Sequence, residues 1–327
     1  MVHARPPLSR RFAPRPLGRG DGLKSGKPTP DIAQKFIDTA LRAPEYRILP
    51  LTRAQVLKSR MDIKGLDYLR AELVDLAAGL RQWRLWGSLA WYDIQSRYSR
   101  TWLGPLWTLA SLAFFVLVTG LLYSEILNQN PLHFIPHLAV GWIIWIFVSN
   151  GILNGCNALL NGSRLIKEIS LPLSVHLYRV VCKNLIILLY HSPVLLAILL
   201  LYPHHIISKI LILCIALGLI VANVFWVAVL LSILCTRYRD VFEITTNIVR
   251  VMFLLTPIIW FPHMVSSRTL LLDLNPFYHL IEVFRGPLLG EGPRPISWWV
   301  LIAGVAFGWP LALYALARFR HRIPFLV

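Results

Sequence analysis

Four asparagines, Asn150, Asn154, Asn157 and Asn161, recur at spacings of four, three and four, which stacks their amides on one helical face. Amides supply donors and acceptors together. The face therefore suits either hydrogen bonding to a neighbouring helix or a channel wall that meets hydroxyl-rich cargo. Gly151 and Gly155 lie beside it at a spacing that permits close helix approach. Trp260, with Trp142, Trp145, Phe261, Trp298 and Trp299, offers flat apolar faces for sugar rings or an aromatic belt at headgroup depth.

Catalytic chemistry finds less support. The acids near apolar runs, Asp93, Glu125, Glu168, Asp240, Glu243, Glu282 and Glu291, form no carboxylate pair, and neither a His-rich metal spacing nor a G-x-S-x-G turn accompanies them. His204-His205 reads as an exposed pair in a short turn. Cys156, Cys182, Cys214 and Cys235 lie in or beside apolar runs without a CxxC and read as small buried hydrophobes. No catalytic residue and no metal site is expected, which ranks transport above membrane enzymology.

The elements that must position these residues are apolar. The chain has 327 residues, 56% hydrophobic and 15% charged, against about a quarter charged in ordinary soluble proteins. The expected fold is an all-α polytopic membrane protein. Six runs approach the roughly 20 residues that cross about 30 Å of hydrocarbon. They are Pro105 to Leu127, Leu138 to Leu160, Leu185 to Tyr202, Ile206 to Leu234, Ile244 to Phe261, with Pro257 kinking it, and Trp298 to Ala317. The net charge of +17 fits basic residues flanking membrane spans, and no nucleic-acid recognition motif accompanies it.

Residues 1–62 read as a disordered basic cytoplasmic tail, without the apolar run of a signal peptide. Gly22-Leu23-Lys24-Ser25-Gly26-Lys27-Pro28 only superficially resembles a phosphate loop, because Asp21 and Pro28 stand where glycine and Ser/Thr are required. Residues 63–103 form an amphipathic interface region. Leu66, Leu69, Leu73, Leu76, Leu80 and Trp83 share one helical face, opposite Arg70, Glu72, Arg81 and Arg84. Residues 104–327 form the transmembrane domain. The connections on one side carry ten Lys and Arg and those on the other carry four, which places both termini in the cytoplasm. The loop Arg237-Tyr238-Arg239-Asp240 is then a cytoplasmic anchor between the fourth and fifth spans. The connection from Pro262 to Ser297 is too apolar for a solvated loop and reads as re-entrant or interfacial helices on the external side.

These residues also carry a resemblance. Trp91-Tyr92-Asp93-Ile94-Gln95-Ser96-Arg97-Tyr98 and Leu103-Gly104-Pro105-Leu106-Trp107 are followed by Tyr238-Arg239-Asp240, Thr256-Pro257-Ile258-Ile259-Trp260 and Asn275-Pro276-Phe277. Their order resembles ABC-2 type permeases, and best the branch that exports lipid-linked polysaccharides such as O-antigen, capsule or teichoic acid. Tyr92 and Ala110-Ser111 depart from that pattern. The resemblance implies a homodimer in the inner membrane with the pore between its copies. Two separate ATPase subunits would bind ATP and magnesium, and this chain would bind no cofactor. It makes Arg164, Lys167 and Glu168 candidates for ATPase contact. Arg97 and Arg100 become candidates for the diphosphate of a polyprenyl carrier. Alternatives are an ABC-2 drug or small-lipid efflux permease and a membrane-embedded glycosyl- or acyltransferase.

Overall fold

The computed structural model describes residues 65–168, 171–201, 206–264, 272–292, 294–320 and 322–326, and the elements of ordered backbone among them are helical. The tail, its phosphate-loop lookalike, His204-His205, Leu270 and Leu271 lie outside the described residues. In chain order the helices are α1 (Gly65–Arg81), α2 (Trp83–Tyr98), α3 (Trp107–Ile126), α4 (Pro131–Cys156), α5 (Ala158–Asn161), α6 (Ser163–Glu168), α7 (Ser174–Leu201), α8 (Ile206–Arg237), α9 (Asp240–Leu255), α10 (Pro276–Leu289), α11 (Pro295–Phe319) and α12 (Ile323–Leu326).

Five of these, α3, α4, α7, α8 and α11, are long and apolar enough to cross a membrane. The expected fifth span differs. It is a 16-residue helix that stops at Leu255, because the residue before a proline is pushed out of the helical region. Thr256 is extended at φ −93° and ψ 133°. At 1.5 Å per residue α9 reaches about 24 Å, short of the hydrocarbon thickness. The chain from Pro257 to Trp260 is irregular rather than a kinked helix. The third span also differs, beginning at Ser174 rather than Leu185. Arg179 and Lys183, read from sequence as loop residues, enter the helix because partners on α2 and α4 receive their charge.

α4 is the centre of the bundle. Its most apolar window is 67% buried, against 17–28% in the other four long helices. Asn130 caps its start by accepting from the Leu132 N–H at 2.9 Å, and Pro131 occupies the first turn, where its missing N–H costs nothing. α8 lies between α4 and α11 and is held to both by glycine pairs. A Cβ on Gly151 or Gly155 of α4 would stand 2.3 Å from Val224 or 2.5 Å from Ala228. A Cβ on Gly304 or Gly308 of α11 would stand 2.4 Å from Asn223 or 2.3 Å from Trp226. Asn223 adds a hydrogen bond from Nδ2 to the Leu301 carbonyl at 3.1 Å. Even Gly155→Ala must part α4 from α8, with an expected cost of about 1–3 kcal/mol. A lower thermal unfolding midpoint in detergent checks this, and an unchanged midpoint would mean that the two helices separate freely.

α10 answers the puzzle of the apolar connection. Tyr278 through Leu288 are buried among α4, α8 and α11, so this segment does not lie on a surface. A second apolar cluster joins Leu76 of α1, Leu159 of α5, Leu177 of α7, Val229 of α8, Leu316 of α11 and Ile323 of α12, with Ile166 of α6 packed against it.

Candidate functional site

Two buried ionic assemblies organise the bundle, one at each end of its long helices. The first surrounds the break after α9. Asn275, the cap of α10, accepts from the Phe277 N–H at 2.9 Å and donates from Nδ2 to the Thr256 hydroxyl at 3.0 Å. From the next turns of α10, Arg285 donates to the Pro257 carbonyl at 2.7 Å, to Glu282 Oε2 at 2.6 Å and to His137 Nε2 at 3.1 Å. Arg285 is 1% exposed and Glu282 8%. An arginine has only donors, so His137 must accept at Nε2 and carry its proton on Nδ1. The 3.3 Å approach of that same nitrogen to the Trp260 carbonyl is then a contact without a shared proton. One guanidinium thus fixes the irregular segment to both α10 and α4.

The second assembly gathers α1, α7 and α11. Arg320 donates to both Glu72 oxygens at 3.0 and 3.1 Å and also pairs with Asp75. Burial alone would lower the Arg320 pKa, but Asp75 and Glu72 outweigh it and raise it above its usual value. The other Asp75 oxygen accepts from the Ser174 N–H at 3.3 Å, at the start of α7, and the Ser174 hydroxyl donates to the Asp75 carbonyl at 2.8 Å. This reverses part of the sequence expectation for α1. Glu72, assigned to the outer polar face, is buried, whereas Leu73, Leu80 and Trp83 are exposed. Beside this assembly, Asp93 of α2 receives Arg179 of α7 in a fork of 2.8 and 2.5 Å.

The residues singled out from sequence fall into separate places. Asn154 accepts from Lys183 of α7 at 3.3 Å, so that amide turns toward α7, but α4 ends at Cys156, which puts Asn157 at its cap and Asn161 on α5 rather than on one continuous face. Asn150 and Asn157 are half-buried and Asn161 is exposed. Trp260 is half-buried at the break. Arg97 and Arg100 are exposed at and just beyond the end of α2, and neither enters an ion pair among the described residues. Arg237, Tyr238, Arg239 and Asp240 are all exposed, and Arg237 stacks over the Tyr238 ring at 5.1 Å. Arg239 and Asp240 are not paired with each other. Asp240 instead lies in the first turn of α9, where a negative charge favours the helix dipole. Arg164, Lys167 and Glu168 lie on α6, and their side chains are outside the described set. An aromatic ladder runs from Phe115 to Trp142 at 4.0 Å, then through Phe253 to Trp145 and Phe277 at 5.3, 5.4 and 5.5 Å. Among the described residues no group of three or more metal-ligating side chains occurs.

The sequence reading missed both ionic assemblies as units. A signal existed for the first: Glu282 and Arg285 stand three apart inside an apolar run, where ionisable residues survive by pairing. For the second, nothing local joins Glu72 to Arg320.

Five helices long and apolar enough to cross a membrane, packed around buried, paired charges, define an integral membrane protein. Residues 84–289 match the ABC-2 type transporter family, more than half of the chain, and the chain belongs to that family. It is a permease, a transport subunit rather than an enzyme, and membership implies an ABC ATPase as partner. Over 221 residues it is 26% identical to the O-antigen export system permease protein RfbA of Myxococcus xanthus, covering 65% of this chain and 84% of that protein.

Proposed function

We propose that this permease exports a lipid-linked polysaccharide, such as O-antigen, across the cytoplasmic membrane. The observation that carries the substrate class is the similarity to a protein named as an O-antigen export permease, which spans most of that relative. The chain works as a homodimer with six crossings per copy, α9 and the irregular segment after it together supplying the crossing that α9 alone is too short to make. ATP and magnesium bind to the partner ATPase, and this chain binds no cofactor itself.

Both termini face the cytoplasm. The excess of Lys and Arg in the connections on one side of the expected spans supports this orientation. α6, with Arg164, Lys167 and Glu168, meets the ATPase, while Arg237 through Asp240 holds α8 and α9 at the membrane edge. Asn150, Asn154, Asn157, Asn161 and Trp260 are the candidates for meeting the glycan. Its carrier diphosphate is drawn to Arg97 and Arg100, which enter no ion pair among the described residues, in contrast to Arg179, Arg285 and Arg320.

Deleting the gene and locating the glycan tests the reading. Lipid-linked polymer should accumulate in the cytoplasm, and normal surface glycan would overturn it. Replacing Arg97 and Arg100 together by glutamine should reduce export while the protein still assembles with its ATPase. Unchanged export in that variant would remove both residues from carrier recognition.

A further inference from the structure

α4 presents two unlike faces to its neighbours. Toward α8 it is closed by Gly151 and Gly155 at near-contact distance. Toward α7, beyond the Lys183 bond to Asn154, it meets an amide without a partner among the described residues. Asn184 of α7 is 3% exposed, yet neither its Oδ1 nor its Nδ2 has a hydrogen-bond partner among the described residues. Leaving such an amide unpaired costs about 1–3 kcal/mol, so a partner that reaches it is strongly favoured. Asn184 lines a narrow cleft with Asn150, Phe147, Leu188 and His191. Eight residues earlier on α7, His176 is 1% exposed against Gly162, between α5 and α6, with both ring nitrogens unpartnered among the described residues.

The chemistry of the amide narrows what the cleft can take. A cation would satisfy Oδ1 and oppose Nδ2, an anion would do the reverse, and an apolar group would satisfy neither. A neutral hydroxyl donates and accepts together and matches both atoms. We propose that the α4–α7 cleft at Asn184 is a hydroxyl-binding site, with Asn184 as its principal ligand and Asn150 on the facing wall. Its walls stand close together, so α7 must move outward slightly before a hydroxyl enters. The glycine contacts of α4 leave room for that movement, since a Cβ on Gly151 or Gly155 would stand 2.3 or 2.5 Å from α8, whereas from Gly151 the Asn184 amide of α7 lies at 3.6 Å, an ordinary van der Waals separation. Water and a sugar hydroxyl of the cargo share this chemistry, and only the second source rests on the polysaccharide reading.

Hydroxyl-radical footprinting of the full permease with its ATPase in lipid nanodiscs, read by mass spectrometry, tests the site. Phe147 and Leu188, which line the cleft, should be oxidised well above Ile220, a fully buried α8 residue used as reference. Asn184→Leu, close in volume, should abolish that excess without raising the thermal midpoint. Asn150→Leu, at a half-buried position, should diminish it and keeps the test available if the first variant fails to assemble. Methyl α-mannoside as soluble probe separates the sources: protection of Phe147 and Leu188 assigns the site to sugar hydroxyls, and labelling that ignores the probe assigns it to water. Labelling no greater than that of Ile220, labelling that persists in Asn184→Leu, or a raised midpoint in Asn184→Leu would each overturn the proposal. None of these readouts depends on which cargo the transporter carries, so failure here is distinct from failure of the export reading.

Discussion

Arg285→Met is expected to destabilise the permease by about 3–5 kcal/mol, the cost of leaving a buried carboxylate without its counter-charge. Glu282 would then sit 8% exposed with its ion-pair partner gone, and the Pro257 carbonyl and His137 Nε2 would lose their donor. The double variant Arg285→Met with Glu282→Met removes both charges together and should recover much of the loss, because burying a pair costs nearly what it returns. Recovery should stop about 1–3 kcal/mol short, since the Pro257 carbonyl still lacks a donor. Arg285→Lys should fall between, because a single ammonium on a flexible stem cannot reproduce a fork that reaches Pro257, His137 and Glu282 at once. Thermal midpoints of the four proteins in detergent check the series. A double variant no better than the single would mean that Glu282 and Arg285 are not energetically coupled.

The same node explains what was legible in the sequence. Composition and run length were enough to recover an all-helical membrane protein and most of its spans, because hydrocarbon demands about 20 apolar residues and admits few exceptions. They failed where tertiary partners override local signals. Arg179 and Lys183 look like a loop only until Asp93 and Asn154 are known to receive them. The run through Ile258 and Trp260 looks like a continuing helix until Arg285 takes the carbonyl that Pro257 leaves outside the helical ladder. The Gly151 and Gly155 pair was visible as a spacing, but the identity of the helix it meets was not. Gly304 and Gly308, at the same spacing on α11, close the opposite side of α8. In the candidate site, the asparagine spacing was legible, but the end of α4 at Cys156 was not, and it leaves Asn157 at the cap and Asn161 on α5; the bond from Asn154 to α7 depended on Lys183 lying within a helix.

Arg320→Gln is expected to loosen the hold on α1 and cost about 3 kcal/mol, the lower end for breaking a buried pair, because Arg320 retains some exposure while Glu72 and Asp75 have little. Arg320→Glu should cost more, since it brings a third carboxylate to Glu72 and Asp75. Combining Arg320→Glu with Glu72→Arg should restore part of the loss if the attraction is specific, and restore nothing if α1 is held by apolar contacts alone. Three helices feel the change at once: Asp75 pairs with α11 through Arg320 and accepts from the first N–H of α7, while Leu76 beside it packs into the cluster that Ile166 of α6 abuts. Under the proposed contact of α6 with the ATPase, a motion at α6 would reach α7 and α11 through residues that Arg320 holds in place. Export should fall further than protein level in Arg320→Gln, with hydrolysis by the partner ATPase persisting. Measuring both rates in one reconstituted preparation separates the cases: hydrolysis without export marks a broken link, parallel loss marks simple unfolding, and normal export would mean that Leu76 and its apolar neighbours carry the motion without the ion pair.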